Sequence, residues 1–388
     1  MRVAIVAESF LPHVNGVTNS VLHVLAHLRG EGHQAMVIAP AGAAPGPESV
    51  EGFPVVRLPA LPLNGYPTVR VAAGSVLRVR RLLAGFAPDV VHLASPFVLG
   101  WRAIQAAEQL GLPTVSVYQT EVPAYAARYG APWLEPLLWN HVRTLHEAST
   151  VNLVPSTHSM EQLRGLGVRR THMWRRGVDT RRFHPSRRGT PGGAAFRARV
   201  APNGERILGY VGRLAAEKQV EDLAVLDALP GTRLAIVGSG PLREGLRDAL
   251  PNAHFAGFLD GEELAEAVAG FDLFVHPGEA ETFCQTIQEA MASGVPVVAV
   301  GRGGPVDLVD SSRTGWLYAP GDLAGLRARV EDLAYDDGKR LAFGTAAYAA
   351  VRTRTWPAVC AELVGHYRRA VQVKSRQLDV VARGVLAR

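Results

Sequence analysis

The sequence predicts an α/β protein built from two doubly wound domains, and three observations carry that expectation. At 388 residues the chain exceeds one ordinary core and fits two domains of roughly 150–200 residues each. Its opening residues run strand, loop, helix and strand, the order of a βαβ unit on a buried parallel sheet. After a stretch rich in glycine, proline and arginine at 177–194, the same order starts again at Ile207.

The elements follow in turn. Residues 2–7 form a nearly all-apolar run, and a loop with Pro12 and Gly16 leads to a helical pattern through Val17, Val21, Leu22, Val24, Leu25 and Leu28. Gly32 stops that helix, and Met36–Ala39 reads as the next strand. Strands are expected at Val90–Leu93, Thr114–Val117 and Thr150–Val154. Beyond the joint, Ile207–Val211 is a strand, 219–229 a helix, Arg233–Val237 a strand and 241–249 a helix. Leu273–His276 and Val295–Val300 are further strands, and a last helix starts at Trp356-Pro357. The expected domains are therefore 1–180 and 181–355. Helix 356–371 crosses back to the first of them, and 372–388 is a basic tail. Such folds bind ligands beyond the carboxyl ends of their strands, here in a cleft between domains.

Composition excludes several classes. Two cysteines, Cys284 and Cys360, make neither a disulfide framework nor a Cys-rich metal site, which suits a reducing cytosol. Glu8 breaks the first apolar run too early for a signal peptide. No stretch approaches the ~20 apolar residues needed to span a bilayer. The net charge of +6 comes from dispersed basic residues without interleaved aromatics, which disfavours nucleic acid as a partner. Only three of the 41 basic residues are lysine, Lys218, Lys339 and Lys374, so each lysine invites inspection.

The densest chemistry lies in the second half. Gly212-Arg213-Leu214 follows the Ile207 strand, and Glu217-Lys218 precedes a helical stretch. Two cations and free backbone N–H groups there suit polyanionic oxygen; solvated loop charges would look the same. Glu281 and Glu289 frame Thr-Phe-Cys-Gln-Thr-Ile-Gln after the turn Pro277-Gly278. Glu281 then sits at the mouth of a loop, Glu289 within a helix, and the N–H groups of Phe283, Cys284 and Gln285 at its start. Glu281 as a simple dipole partner and Glu289 as an exposed helix residue are the plain alternatives. Gly238-Ser239-Gly240-Pro241 lacks the third glycine of a dinucleotide fingerprint and reads as a tight turn. In the first half, Gly16 either opens a helix or lets backbone approach a phosphate.

In this order and spacing these residues resemble the family 4 glycosyltransferases of GT-B fold over nearly the whole chain. The matching stretches are Pro12 to Val17, Gly177-Val178-Asp179 with Phe183, Gly212 to Lys218, Val237 to Pro241, Glu281 with Glu289, and Gly303-Gly304-Pro305 with Asp307. The resemblance is nearest to transferases that move mannose from GDP-mannose onto membrane glycolipids. It implies an acceptor-binding first domain and a nucleotide-sugar-binding second one. Arg213 and Lys218 would hold the donor diphosphate, Glu281 the donor sugar and Glu289 the ribose. Backbone at Gly16, Gly212, Gly238, Phe283, Cys284 and Gln285 would line the donor. Transfer would retain anomeric configuration without a metal or other cofactor, and the sequence has no Asp-x-Asp cluster for one.

Two departures bear on the acceptor side. Asn15 stands where relatives often carry a glycine before Gly16. Tyr118-Gln119-Thr120-Glu121 stands where many carry Tyr-His-Thr-Asp, so Gln119 replaces a histidine with a group that only exchanges hydrogen bonds. Residues 76–86 read as an amphipathic helix whose Arg78, Arg80 and Arg81 either meet anionic headgroups or face water. Competing readings are a nucleotide-sugar epimerase of the same shape, a transferase using a UDP-sugar and a soluble acceptor, an NAD-dependent oxidoreductase, and a carbohydrate-binding protein.

Overall fold

A computed structural model of the chain describes residues 1–63, 66–121, 123 and 132–386. It divides into two compact units. One comprises 1–120, 134–175 and 357 onward; the other comprises 121–133 and 176–356.

The first unit is built on an eight-stranded sheet. Its strands are β1 (Arg2–Ala7), β2 (Gln34–Pro40), β3 (Ser49–Val50), β4 (Phe53–Leu58), β7 (Val90–Ala94), β8 (Thr114–Val117), β9 (Val151–Val154) and β10 (Thr171–Met173). β5 (Ala60–Leu63) and β6 (Tyr66–Ala72) form a separate antiparallel hairpin. The sheet order is β10-β9-β8-β7-β1-β2-β4-β3, parallel except for the short β3–β4 pair. β1 is central: Ala4 registers with Met36 on one side and Val91 on the other. Val3 to Ala7 are buried throughout, as a strand covered on both faces requires.

Strand order reverses between β1 and β7, so their carboxyl ends flank the position where doubly wound folds open a crevice. Glu8 and Ser95 stand there. The helix Val98–Gln109 has no side-chain cap of its own, and Glu8 supplies one. Its carboxylate accepts from the N–H groups of Phe97 at 2.6 Å, Gly100 at 2.8 Å and Leu99 at 3.2 Å.

The second unit carries a six-stranded, wholly parallel sheet. Its strands are β11 (Arg206–Val211), β12 (Thr232–Val237), β13 (His254–Gly257), β14 (Leu273–His276), β15 (Val297–Val300) and β16 (Gly315–Tyr318). The order is β13-β12-β11-β14-β15-β16, with the reversal between β11 and β14. Large apolar clusters cover both faces, one around Phe271, Phe274 and Ile287 and the other around Tyr210, Leu223 and Leu326.

Several expectations need correction. The stretch 177–194 is no loose joint: it holds a 3-10 turn at Pro185–Gly189, and the helix Pro191–Val200 starts inside it. Asp272 fixes it to the sheet, accepting from Arg188 at 2.6 Å, Arg197 at 2.9 Å and the Ile207 N–H at 2.8 Å. The expected helix 219–229 is a pair of 3-10 segments, Ala216–Lys218 and Val220–Leu226, separated by Gln219 at φ +50°. The last helix runs from Trp356 to Leu386, so most of the expected basic tail is helical. In the first unit its Tyr367 hydroxyl lies 2.5 Å from His92 Nδ1, and Trp174 donates to Val359 O at 2.9 Å.

Candidate donor and acceptor sites

In the second unit the residues singled out by sequence gather at the switch point between β11 and β14. Lys218 Nζ lies 2.5 Å from Glu281 Oε1, both largely shielded from water. Arg213 ion-pairs with Glu217, whose side chain is fully buried while the guanidinium is about half exposed. The cation therefore faces outward from an anchored base. Gly238 lies so near Gly212 that an added Cβ would stand 1.9 Å from Gly212 O, and its φ is +140°. Gly304 packs as tightly: its N–H donates to Glu281 O at 2.7 Å, and a Cβ there would meet Phe283 Cα at 2.4 Å. Glycines at 238 and 304 thus let neighbouring loops close around Gly212 and the segment 281–283.

Helix Gln285–Ala292 begins at Cys284, whose φ of +72° is left-handed. Its amides also hold the strand-to-loop segment before it in chain order: Gln285 Nε2 donates to Gly177 O at 3.0 Å and Gln288 Nε2 to Arg176 O at 3.1 Å.

Sequence reasoning overlooked His276, the last residue of β14. It is buried, stacked between the rings of Tyr210 and Phe274, with Nε2 3.2 Å from Glu281 Oε1. A polar residue ending the strand beside the reversal is the signal that could have found it. Burial alone would lower its pKa, but the Cys284 sulfur and the Glu281 carboxylate outweigh that and push it up to about 9. For Glu281, burial opposes ionisation, yet Lys218 and His276 hold its pKa down at about 2. This carboxylate is ionised across the physiological range. Burial lowers the buried Arg176 guanidinium to about 10, against the opposing pull of Glu281.

Glu289 behaves in the opposite way. It is half-buried, and desolvation pushes it up to about 8, against the Gln285 hydrogen bond and the Arg182 charge. A carboxyl group with a raised folded pKa destabilises the fold as pH climbs from its unfolded value of 4.5 toward 8. Glu289→Gln is therefore expected to raise the melting temperature of the ligand-free protein at pH 8.5, with the gain shrinking toward pH 5. Equal melting temperatures at both pH values would refute the buried neutral acid.

On the first unit the picture is mixed. Asn15 caps the helix Gly16–Gly30, accepting from Val17 N and Thr18 N at 2.9 Å each, and its Nδ2 donates to Ser9 Oγ at 3.2 Å. This amide is engaged at the helix start. Gly16 is the first helical residue. Gln119 is buried just beyond β8, one residue before Thr120, whose Oγ1 accepts from Ser95 Oγ at 2.7 Å. Glu121 is buried and belongs to the second unit.

The helix Val76–Phe86 turns its apolar side into the first unit. Val79 and Leu83 are core residues, and Leu82 and Phe86 pack partly against the same cluster. Arg2 further covers the Phe86 ring, at 4.7 Å from its centroid. Leu77 on the same helix is exposed. Arg78, Arg80 and Arg81 are all exposed, and none forms an ion pair among the described residues. No described helix is long and apolar enough to cross a membrane.

The profile of Glycosyltransferase Family 4 matches residues 14–182, and that of Glycosyl transferases group 1 matches 194–350. The GDP-mannose-dependent alpha-mannosyltransferase of Mycobacterium tuberculosis is 48% identical over 95% of this chain and 96% of its own. The protein of that name from Corynebacterium glutamicum is 44% identical over 97% of this chain and 91% of its own. Among solved structures, a sucrose-phosphate synthase from Thermosynechococcus elongatus superposes with a TM-score of 0.79 at 20% identity, covering 95% of this chain and 98% of that one. HepE of Anabaena, in complex with UDP, gives 0.77 at 18% identity, covering 95% of this chain and all of that one. These two establish shared fold alone.

Proposed function

Since the chain belongs to the family 4 glycosyltransferases, a GT-B enzyme class that transfers sugar from a nucleotide donor, we propose that it moves mannose from GDP-mannose onto a membrane glycolipid with retention of configuration. The full-length identity of 48% to an alpha-mannosyltransferase carries this reading. The arrangement around Lys218 supports the chemistry.

In this reading the donor diphosphate lies against Arg213 and Lys218. As the glycosidic bond breaks, negative charge grows on the departing phosphate, and two cations fixed beforehand stabilise it without reorganising. Glu217 and Glu281 do the fixing, each holding one cation. The remaining lone pairs of Glu281 accept hydroxyls of the donor sugar, and Glu289 meets the ribose. The N–H groups of Phe283, Cys284 and Gln285 complete the donor pocket from the start of their helix. Gln119 orients a hydroxyl and moves no proton.

A panel of nucleotide sugars, scored by nucleotide diphosphate release with and without lipid extract, tests donor and acceptor together. GDP release from GDP-mannose that depends on lipid is expected. Release from UDP-sugars with a soluble acceptor would overturn it, and a free altered sugar without acceptor would point to an epimerase.

Catalysis in this reading needs no metal, because Arg213 and Lys218 supply the charge that a divalent ion would. Full turnover is expected in excess EDTA; loss restored by Mg²⁺ or Mn²⁺ would overturn it.

Contact with the membrane falls to Arg78, Arg80 and Arg81. At roughly 1 kcal/mol per basic residue they give weak association that fades as salt rises. Since the apolar side of their helix is buried, the contact is electrostatic, without insertion. Replacing all three by Ser should cut flotation with anionic vesicles and slow transfer to lipid. Unchanged flotation would exclude the helix.

A further inference from the structure

We propose that His276, Glu281 and Cys284 form a binding site for a thiophilic divalent cation of the Zn²⁺ class, and that its occupation shuts the transferase off.

One imidazole nitrogen, one carboxylate oxygen and the Cys284 sulfur all lie within 4.8 Å of one another. The centre of a triangle with 4.8 Å sides stands about 2.8 Å from each corner. Shifts of well under an ångström per side chain then reach the ~2.0–2.3 Å of zinc bonds. A second observation points the same way. His276 is only 2% exposed, and neither of its ring nitrogens makes an aligned hydrogen bond. A buried imidazole is costly to leave so. Its contact with Glu281 at 3.2 Å is one of charge.

The donor set selects the ion. One thiol, one imidazole and one carboxylate suit Zn²⁺, Cd²⁺ or Co²⁺. Mg²⁺ needs six oxygens near 2.0–2.1 Å, approximately octahedral, and three mixed ligands do not provide them. The site is thus compatible with turnover in EDTA. Binding is an exchange without redox change: the Cys284 S–H bond breaks, its proton leaves to water, and sulfur, nitrogen and oxygen lone pairs bond the cation. Any proton on the imidazole nitrogen leaves with it.

Inhibition follows from Glu281. Its Oε1 holds Lys218, and a cation there takes that oxygen away. This half of the inference rests on the reading that Glu281 serves the donor; cation binding itself does not.

The test therefore has two arms. Co²⁺ alone, titrated into the metal-free full-length protein, should give one equivalent of a thiolate-to-metal charge-transfer band, displaced by Zn²⁺. The band should vanish in Cys284→Gly. That variant keeps its fold on backbone grounds, since φ +72° at position 284 suits glycine best. Cys360→Ser should keep the band. In the second arm, micromolar Zn²⁺ should slow the wild-type enzyme, with relief by EDTA or excess nucleotide sugar. Half-inhibition in Cys284→Gly, normalised to its own metal-free rate, should need at least about tenfold more Zn²⁺, the loss typical even of a ligand's supporting partner. No Co²⁺ band, or a band that survives Cys284→Gly, overturns the site. A band without inhibition overturns the switch, and with it the placing of donor sugar on Glu281.

Discussion

Lys218→Ala is expected to lower turnover by about 10²–10³-fold, the cost of removing one preorganised charge-stabilising group, while leaving the fold intact. The ammonium is mostly shielded and lies 2.5 Å from Glu281, so its geometry is set before any donor arrives. Removing it also strips Glu281 of its nearest cation, and the pKa of about 2 that Lys218 helps maintain should rise. Arg213→Ala should act similarly, though its guanidinium is about half exposed and solvent screens part of its effect. Both cations act on one diphosphate, so the double variant should lose less than the product of the single losses. Wild-type turnover in Lys218→Ala would return the residue to the surface charges.

Asp272→Ala should destabilise the second unit by about 2–4 kcal/mol, because the carboxylate is almost fully buried and two guanidiniums converge on it. Arg188 and Arg197 keep partial exposure, which places the figure below that of a wholly buried pair. The variant also orphans the Ile207 N–H, a buried donor at the start of the central strand. Burial would raise the Asp272 pKa, yet Arg188, the Ile207 N–H and Arg197 together lower it below 3.8. A depressed folded pKa means that stability is present above 3.8 and lost as pH falls through the folded value. Urea unfolding should therefore separate Asp272→Asn from wild type at pH 5–8 and bring the two together in stronger acid. A constant gap down to pH 2 would mean that the charge is irrelevant and only shape was lost.

The strands were the most legible part of the chain. Thr114–Val117 and Leu273–His276 are expected and observed with the same ends, because each is a short run dominated by β-branched or apolar residues and buried along its whole length. The helical reading of 219–229 failed because the apolar spacing of Val220, Leu223 and Leu226 serves a 3-10 segment equally well. The left-handed backbone of Gln219 is invisible in composition. The Arg/Gly/Pro stretch at 177–194 misled for another reason: its Arg188 answers Asp272, 84 residues further along. No local pattern reports a partner so distant. At the candidate site, Arg213, Lys218, Glu281 and Glu289 stood out by residue type and spacing. His276 hid at the end of an apolar run, and the raised pKa of Glu289 depends on burial that helical periodicity alone does not reveal.

The position of the last helix has a consequence for biosynthesis. Residues 357 onward belong to the first unit, but in chain order they follow the whole of 176–356. A ribosome therefore releases the second unit's whole sheet before the first unit receives the segment that carries Tyr367 and Val359. Until then His92 lacks its hydroxyl partner and Trp174 its carbonyl acceptor. Domains generally fold as units during synthesis, amino-terminal first, and here that order is expected to invert. In chains arrested after residue 356, the second unit should already resist protease while 1–175 remains sensitive. Early resistance of 1–175 would show that the helix is dispensable for closing it.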